Sequence, residues 1–169
     1  MKIVSIFAAK LFSFHYKDES DNEFDRLMAL WTDVEYIRSF AKSNNIHDMN
    51  GFVKDIISNA EEIDDFLFNL DADFESFGMY FEPLQTSEYT KVLSFQRGKI
   101  RKNRLRLYAI RIDENCFVIT GGAIKMSQTM QENPFSAIEL IKLNAAKAFL
   151  LSKGVFDEGS FYKIILELT

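Results

Sequence analysis

Apolar residues recur at helical spacing in the first half of the chain and alternate at strand spacing in much of the second. Phe24, Leu27, Met28, Trp31, Val34, Ile37 and Phe40 fall three and four apart up to about Lys42, the repeat of one helix face. Ser20, with Glu23 three residues on, reads as a capping box that starts this helix. Asn44-Asn45 and Asn50-Gly51 interrupt the pattern. A second helix then places Phe52, Val53, Ile56, Ile57, Ala60, Ile63, Phe66, Leu67 and Leu70 on one stripe. Its acids Asp55, Glu61, Glu62, Asp64 and Asp65 fall mostly off that stripe and are expected to face solvent.

Period-two alternation marks residues 2 to 14 as a leading strand and returns after Tyr89. Lys91–Phe95, Leu105–Ile112 and Asn115–Thr120 read as three strands, the last two joined through the polar turn Asp113-Glu114-Asn115. Gly121-Gly122 is expected to end the third of them. Phe74–Leu84, rich in aromatics and containing Pro83, fits a packed loop, a short helix or an extra strand. Asn133-Pro134 supplies a cap and a first helical position. From there Ile138, Ile141, Ala145, Ala148 and Phe149 form the expected buried stripe of a helix that Gly154 stops. Phe161–Leu168 fits a final strand or a short helix. The order β-α-α-β-β-β-α plus a C-terminal tail element predicts an α+β fold, an antiparallel sheet packed against helices.

Composition adds few exceptions. The 169 residues, 47% hydrophobic with 17 Phe, suit one globular domain spanning 1–169, with an enlarged acidic helical pair in its N-terminal half. No apolar run approaches the roughly 20 residues needed to cross a bilayer. The apolar stretch before Ala8-Ala9 is cut off by Lys10 and is short for a signal peptide, so a first strand is the reading taken. Cys116, the single cysteine, sits in the apolar run Cys116-Phe117-Val118-Ile119 and is expected in the core. A reducing cytoplasm is the expected compartment. No His/Cys/Asp/Glu spacing suggests a metal, no glycine-rich fingerprint suggests a nucleotide cofactor, and His15 and His47 are read as ordinary surface or partly buried residues.

Charge changes the picture more. Residues 1–90 hold 7 Lys and Arg against 18 Asp and Glu, a net of −11, whereas residues 91–169 hold 13 against 7, a net of +6. Lys91–Arg111 alone carries eight basic residues and no acid. Such segregation favours a polyanionic partner. Alternation puts Arg104, Arg106 and Tyr108 on one strand face and Leu105, Leu107 and Ala109 on the other. The leucine face is expected to pack on helices and the arginine face to stay open. Arg97, Lys99, Arg101, Lys102 and Lys125 would then collect beside it, where guanidinium forks can engage phosphate oxygens. A plainer reading remains: a solvated basic edge, or one paired with the chain's own acidic helices.

The run Leu105-Arg106-Leu107-Tyr108-Ala109-Ile110-Arg111-Ile112, the polar turn, and Cys116-Phe117-Val118-Ile119-Thr120-Gly121-Gly122-Ala123-Ile124-Lys125 resemble the sheet core of the RelE/ParE/HigB-like toxin superfamily. The helix from Pro134 to Leu150 extends the likeness over about residues 90 to 150. The resemblance implies a toxin of a type II toxin–antitoxin pair, a metal-independent endoribonuclease acting on messenger RNA at the ribosome. It implies an antitoxin partner, expected to be a helix-turn-helix protein, and no cofactor. On matching positions it assigns catalysis to Arg97, Arg106 and Lys125, which would stabilise the phosphorane. Tyr108 would be the proton donor, because both histidines lie in the N-terminal half. Lys99, Arg101, Lys102 and Arg104 would bind nucleic acid. Two other functions remain open on the same fold: a non-catalytic module binding nucleic acid or an acidic protein, and a gyrase-directed toxin.

Overall fold

The structure, a computed structural model, describes residues 1–6, 10–69, 81–83, 94–98 (backbone only), 103–126 and 137–168. Its elements are β1 (Lys2–Ser5), β2 (Leu11–His15), α1 (Glu23–Thr32), α2 (Val34–Ser43), α3 (Met49–Asn69), β3 (Phe81–Pro83), β4 (Ser94–Gly98), β5 (Leu105–Asp113), β6 (Cys116–Ile124), α4 (Ala137–Ser152) and α5 (Glu158–Leu168). The α+β reading holds. Six strands form one sheet in the order β1-β2-β6-β5-β4-β3. Every neighbouring pair is antiparallel except β2 with β6, where Leu11, Phe12 and Ser13 run parallel to Phe117, Val118 and Ile119.

Several boundaries move, each for a local reason. The leading strand is a hairpin, with Lys2 paired to His15 and Ser5 to Phe12. The first helix begins at Asn22, whose side chain accepts from the Asp25 backbone N–H, while the Ser20 hydroxyl donates to Asp21 instead. That helix is also two helices. Asp33 leaves helical geometry and its carboxylate accepts from the N–H groups of Glu35 and Tyr36, so it caps a new start; a short acceptor beside free amides favours this over continuing the helix. Phe81–Pro83 is the extra strand, the chain tail is a helix, and Gly154 ends α4 at a φ of 76°. The Asn133-Pro134 cap lies outside the described residues.

Helices cover both sheet faces. On one, Phe24, Leu27 and Trp31 of α1, Ile37 and Ala41 of α2 and the Phe52–Leu67 stripe of α3 meet Leu105, Leu107, Ala109, Phe117 and Ile119. On the other, Leu143, Ala146 and Leu150 of α4 and Phe161 and Ile164 of α5 meet Phe12, Phe14, Ile110, Ile112, Cys116 and Val118. Cys116 is buried as expected, and burial pushes its thiol up to about 12.

Two expectations fail here. The face of β5 that carries Arg106 and Tyr108 also carries Ile110 and Ile112, which pack on α4 and α5; Arg106 is 7% exposed and Tyr108 3%. Alternation separates two faces but does not say that only one is covered. On α4 the buried stripe is Glu139, Leu143, Ala146 and Leu150, and Ile138 and Ile141 are 66% and 67% exposed. The helix is turned because Glu139 docks on the glycine pair of β6.

Gly121 and Gly122 do not end β6; they lie inside it. A methyl at Gly122 would stand 2.7 Å from the Arg106 carbonyl oxygen and 2.9 Å from both Leu27 Cδ1 and Trp31 Cη2. Overpacking of this kind costs about 1–3 kcal/mol. Gly122→Ala is therefore expected to lower the urea midpoint by that amount of stability without changing the slope, as urea denaturation followed by circular dichroism would report.

Candidate functional site

Of the residues named from the sequence, the backbones of Arg97, Arg104, Arg106 and Lys125 lie toward one end of the sheet. Lys125 follows β6 and Arg104 precedes β5, and the Lys125 backbone N–H donates to the Arg104 carbonyl at 2.7 Å. Arg104 is exposed; its guanidinium lies over the Phe52 ring, 5.5 Å from the centroid, and 3.9 Å from the Asp55 carboxylate. The plainer reading of pairing with an acidic helix thus holds at this one position, through a weak, solvated contact. Arg97 enters the same end by backbone register, between Glu82 on β3 and Tyr108 on β5. Lys99, Arg101 and Lys102 lie outside the described residues.

Arg106 is turned inward. Its Nη1 donates to the carbonyls of Asn103 and Leu105 at 2.6 and 2.7 Å. Asn103 in turn donates to the Asn59 carbonyl and to Glu62 of α3, and the Arg104 N–H donates to the Asn59 side chain at 2.8 Å. This clamp fixes where β5 starts. It also gives Arg106 a local architectural role as a cross-brace on the strand entry.

A second constellation at the same sheet end was not foreseen. β2 and β6 are adjacent and parallel, and the chain leaves them toward opposite faces, into α1 and α4. The carboxyl ends of strands at such a divergence are where open α/β sheets hold ligands. Here the register also slips. Tyr108 opposes Gly121 and Ala109 opposes Ile119, so Thr120 is the extra residue of a β-bulge, a device that re-aims side chains at sheet ends. The Thr120 carbonyl accepts from the Tyr16 hydroxyl at 2.7 Å, and the Thr120 hydroxyl donates to the Tyr108 carbonyl at 3.2 Å.

Charged groups cluster at these strand ends. Glu23, at the start of α1, is fully buried, and its Oε1 accepts from Arg26 Nη2 at 2.6 Å and from Lys142 Nζ of α4 at 2.8 Å. Arg26 Nε closes the fork on Oε2 at 3.0 Å. One carboxylate thereby ties the two helical layers together around the strand ends. Lys142 also lies over the Tyr16 ring at 5.3 Å. Glu139 occupies the space that Gly121 leaves empty: a methyl there would be 1.8 Å from Oε2, which accepts from the Gly122 N–H at 3.1 Å.

Burial pushes the Glu139 carboxyl above the usual carboxylate range, Glu23 adds to the rise, and Lys142 and Arg26 oppose it. The hydrogen bond to Glu23 holds Arg26 in its charged form. Burial first, then Glu23 and Glu139, raise the Tyr16 phenol well beyond its ordinary range. The cluster therefore sets a carboxyl of raised pKa beside two cations that share one buried carboxylate. A carboxyl in that state can donate a proton or hold one. Among the described residues no group of three or more His, Cys, Asp or Glu could hold a metal, and no helix is long and apolar enough to cross a membrane. The sequence does carry a trace of the site: Glu139 and Lys142 are charged positions, three apart, in an otherwise apolar helix start. Nothing in one dimension pairs them with Glu23 and Arg26.

Fold and site together define a three-layer α+β protein with a charged cluster at the ends of its parallel strand pair. Scans against protein-family models, curated proteins and solved structures return no match, so the toxin-superfamily resemblance rests on the residues quoted for it.

A raised carboxyl pKa in the folded state means that folding stability is fullest at low pH and is lost as pH rises past the ordinary carboxylate value. Glu139→Gln keeps an acceptor for the Gly122 N–H and cannot ionise. The variant is expected to unfold at a higher temperature than the wild type at neutral pH and to lose part of that advantage near pH 4, measured by calorimetry across the range. Gly121→Ala should do the reverse, expelling the carboxyl and lowering the unfolding temperature at every pH.

Proposed function

We propose that this protein is a nucleic-acid-binding module that takes the phosphate backbone of RNA at the cationic end of its sheet. The observation that carries the reading is the junction of Arg104 and Lys125 through a backbone hydrogen bond. Arg104 lies in a segment that runs from Lys91 to Arg111 without an acid, and Lys125 is brought beside it from the end of β6. A phosphodiester chain that meets cations at one strand end binds with release of its counterions. The fold around them is rigid: Asn103 is clamped to α3, and β5 is hydrogen-bonded on both sides.

The narrower form of the proposal is a messenger-RNA endoribonuclease of a cytoplasmic toxin–antitoxin pair, with a helix-turn-helix antitoxin covering the basic surface. The resemblance supports it. The burial of Arg106 and Tyr108, two of its four assigned catalytic residues, ranks it behind the binding module.

Single-stranded RNA titrated by fluorescence anisotropy tests the reading. Affinity is expected to fall steeply between about 50 and about 200 mM salt, and Arg104→Ala with Lys125→Ala should shallow the logarithmic salt slope by about 1.4, at roughly 0.7 per phosphate contact. An unchanged slope in the double variant would remove the proposal. RNA cleavage by the purified chain, lost in Lys125→Ala, would promote the endoribonuclease form.

A further inference from the structure

We infer that the Glu23-bridged pair of Arg26 and Lys142, at the carboxyl ends of β2 and β6, is a binding site for a small oxyanion, a phosphate or a carboxylate. The inference stands apart from the RNA reading, which uses Arg104 and Lys125.

Three observations carry it. The first is placement. Two adjacent parallel strands are followed in the described residues by helices on opposite faces, and the carboxyl ends of strands at such a divergence are where open α/β sheets hold ligands. Every other strand pair in the sheet is antiparallel, so the geometry occurs at this one point among the described residues.

The second is the charge arrangement. Arg26 and Lys142 come from opposite layers yet contact one oxygen, Glu23 Oε1, at 2.6 and 2.8 Å. Glu23 is wholly enclosed, whereas the two cations keep 22% and 17% of their side-chain surface open. The carboxylate therefore sits on the inner side and the cations on the outer. The surface of the cluster that remains open to solvent is that of the two cations. The neighbouring Glu139 carboxyl belongs to the same cluster, and burial raises its pKa. The Tyr16 ring, beneath Lys142, supplies an apolar wall.

The third is cost. Enclosing a carboxylate with two cations is expensive, and an apolar cluster of the same volume would tie the two layers together as well or better. An arrangement that spends desolvation energy to hold an Arg and a Lys side by side, one from each layer, is what oxyanion recognition needs. A guanidinium fork fixes the plane of the anion and an ammonium adds a point charge.

The test titrates the whole chain with inorganic phosphate, and separately with acetate, following backbone amide shifts by NMR. Saturable shifts centred on Gly121, Gly122 and the first turns of α1 and α4 are expected with at least one of the two probes. Whichever saturates names the anion class. Lys142→Met should weaken that affinity at least tenfold, and Lys142→Arg should retain it. If Lys142→Met proves unfolded, Arg26→Met serves for the same comparison. Arg104→Ala with Lys125→Ala should lose RNA affinity and keep the small-anion site, so the two readings fail separately. The inference is overturned if neither probe saturates in the wild type, if binding survives in folded Lys142→Met, or if the shifts map to Arg104 and Lys125.

Discussion

Two consecutive glycines in β6 leave room on both faces of the sheet at once, and the architecture around the site depends on that room. On one face Leu27 and Trp31 press against Gly122; on the other the Glu139 carboxyl fills the place of a Gly121 side chain. A Cβ at either position would push a helix outward. With both absent, α1 and α4 approach the same point from opposite sides, close enough for Glu23 of one to reach Lys142 of the other. The bulge at Thr120 completes the arrangement by letting two successive residues oppose the β5 ladder out of step.

From this constraint follows a division of the cationic residues into two populations. Arg104 and Lys125 sit at the mouth of the β5–β6 pair, joined through their backbones, and are the pair proposed to take a large, flexible polyanion. Arg26 and Lys142 are organised around a buried carboxylate and suit something small. Arg106 belongs to neither: its guanidinium satisfies carbonyls at the strand entry, and the energy of those bonds goes into the fold. Arginine is as able to brace a backbone as to bind a phosphate, because five N–H donors in a plane fit either task. The identity of the residue does not choose between them; its surroundings do.

The same distinction bears on how a shared strand pattern should be weighed. Leu105 to Lys125 alternates as a toxin-like sheet core would, but the alternation is what any buried hairpin with an occasional charge displays. Function resides in sites rather than in such patterns. In this chain the β5 face that carries Arg106 and Tyr108 also packs Ile110 and Ile112 on the helices after β6, and both Arg106 and Tyr108 are buried.

Much of the local structure was already decided by the order of residues. The long stripes of α1 to α3, the polar turn between β5 and β6, the burial of Cys116 and the positive-φ stop at Gly154 depend on neighbours a few positions away, and periodicity and turn chemistry report those. The segregation of charge and its gathering at a β-strand start are likewise linear facts. Which face of β5 would be covered, how α4 would be rotated, and whether Gly121-Gly122 would end a strand or seat a carboxylate depend on contacts across the sheet. Glu23 and Lys142 are 119 residues apart, and no one-dimensional pattern marks them as partners. Their meeting comes from a parallel strand pair whose following helices leave on opposite sides, and only the tertiary structure brings that about.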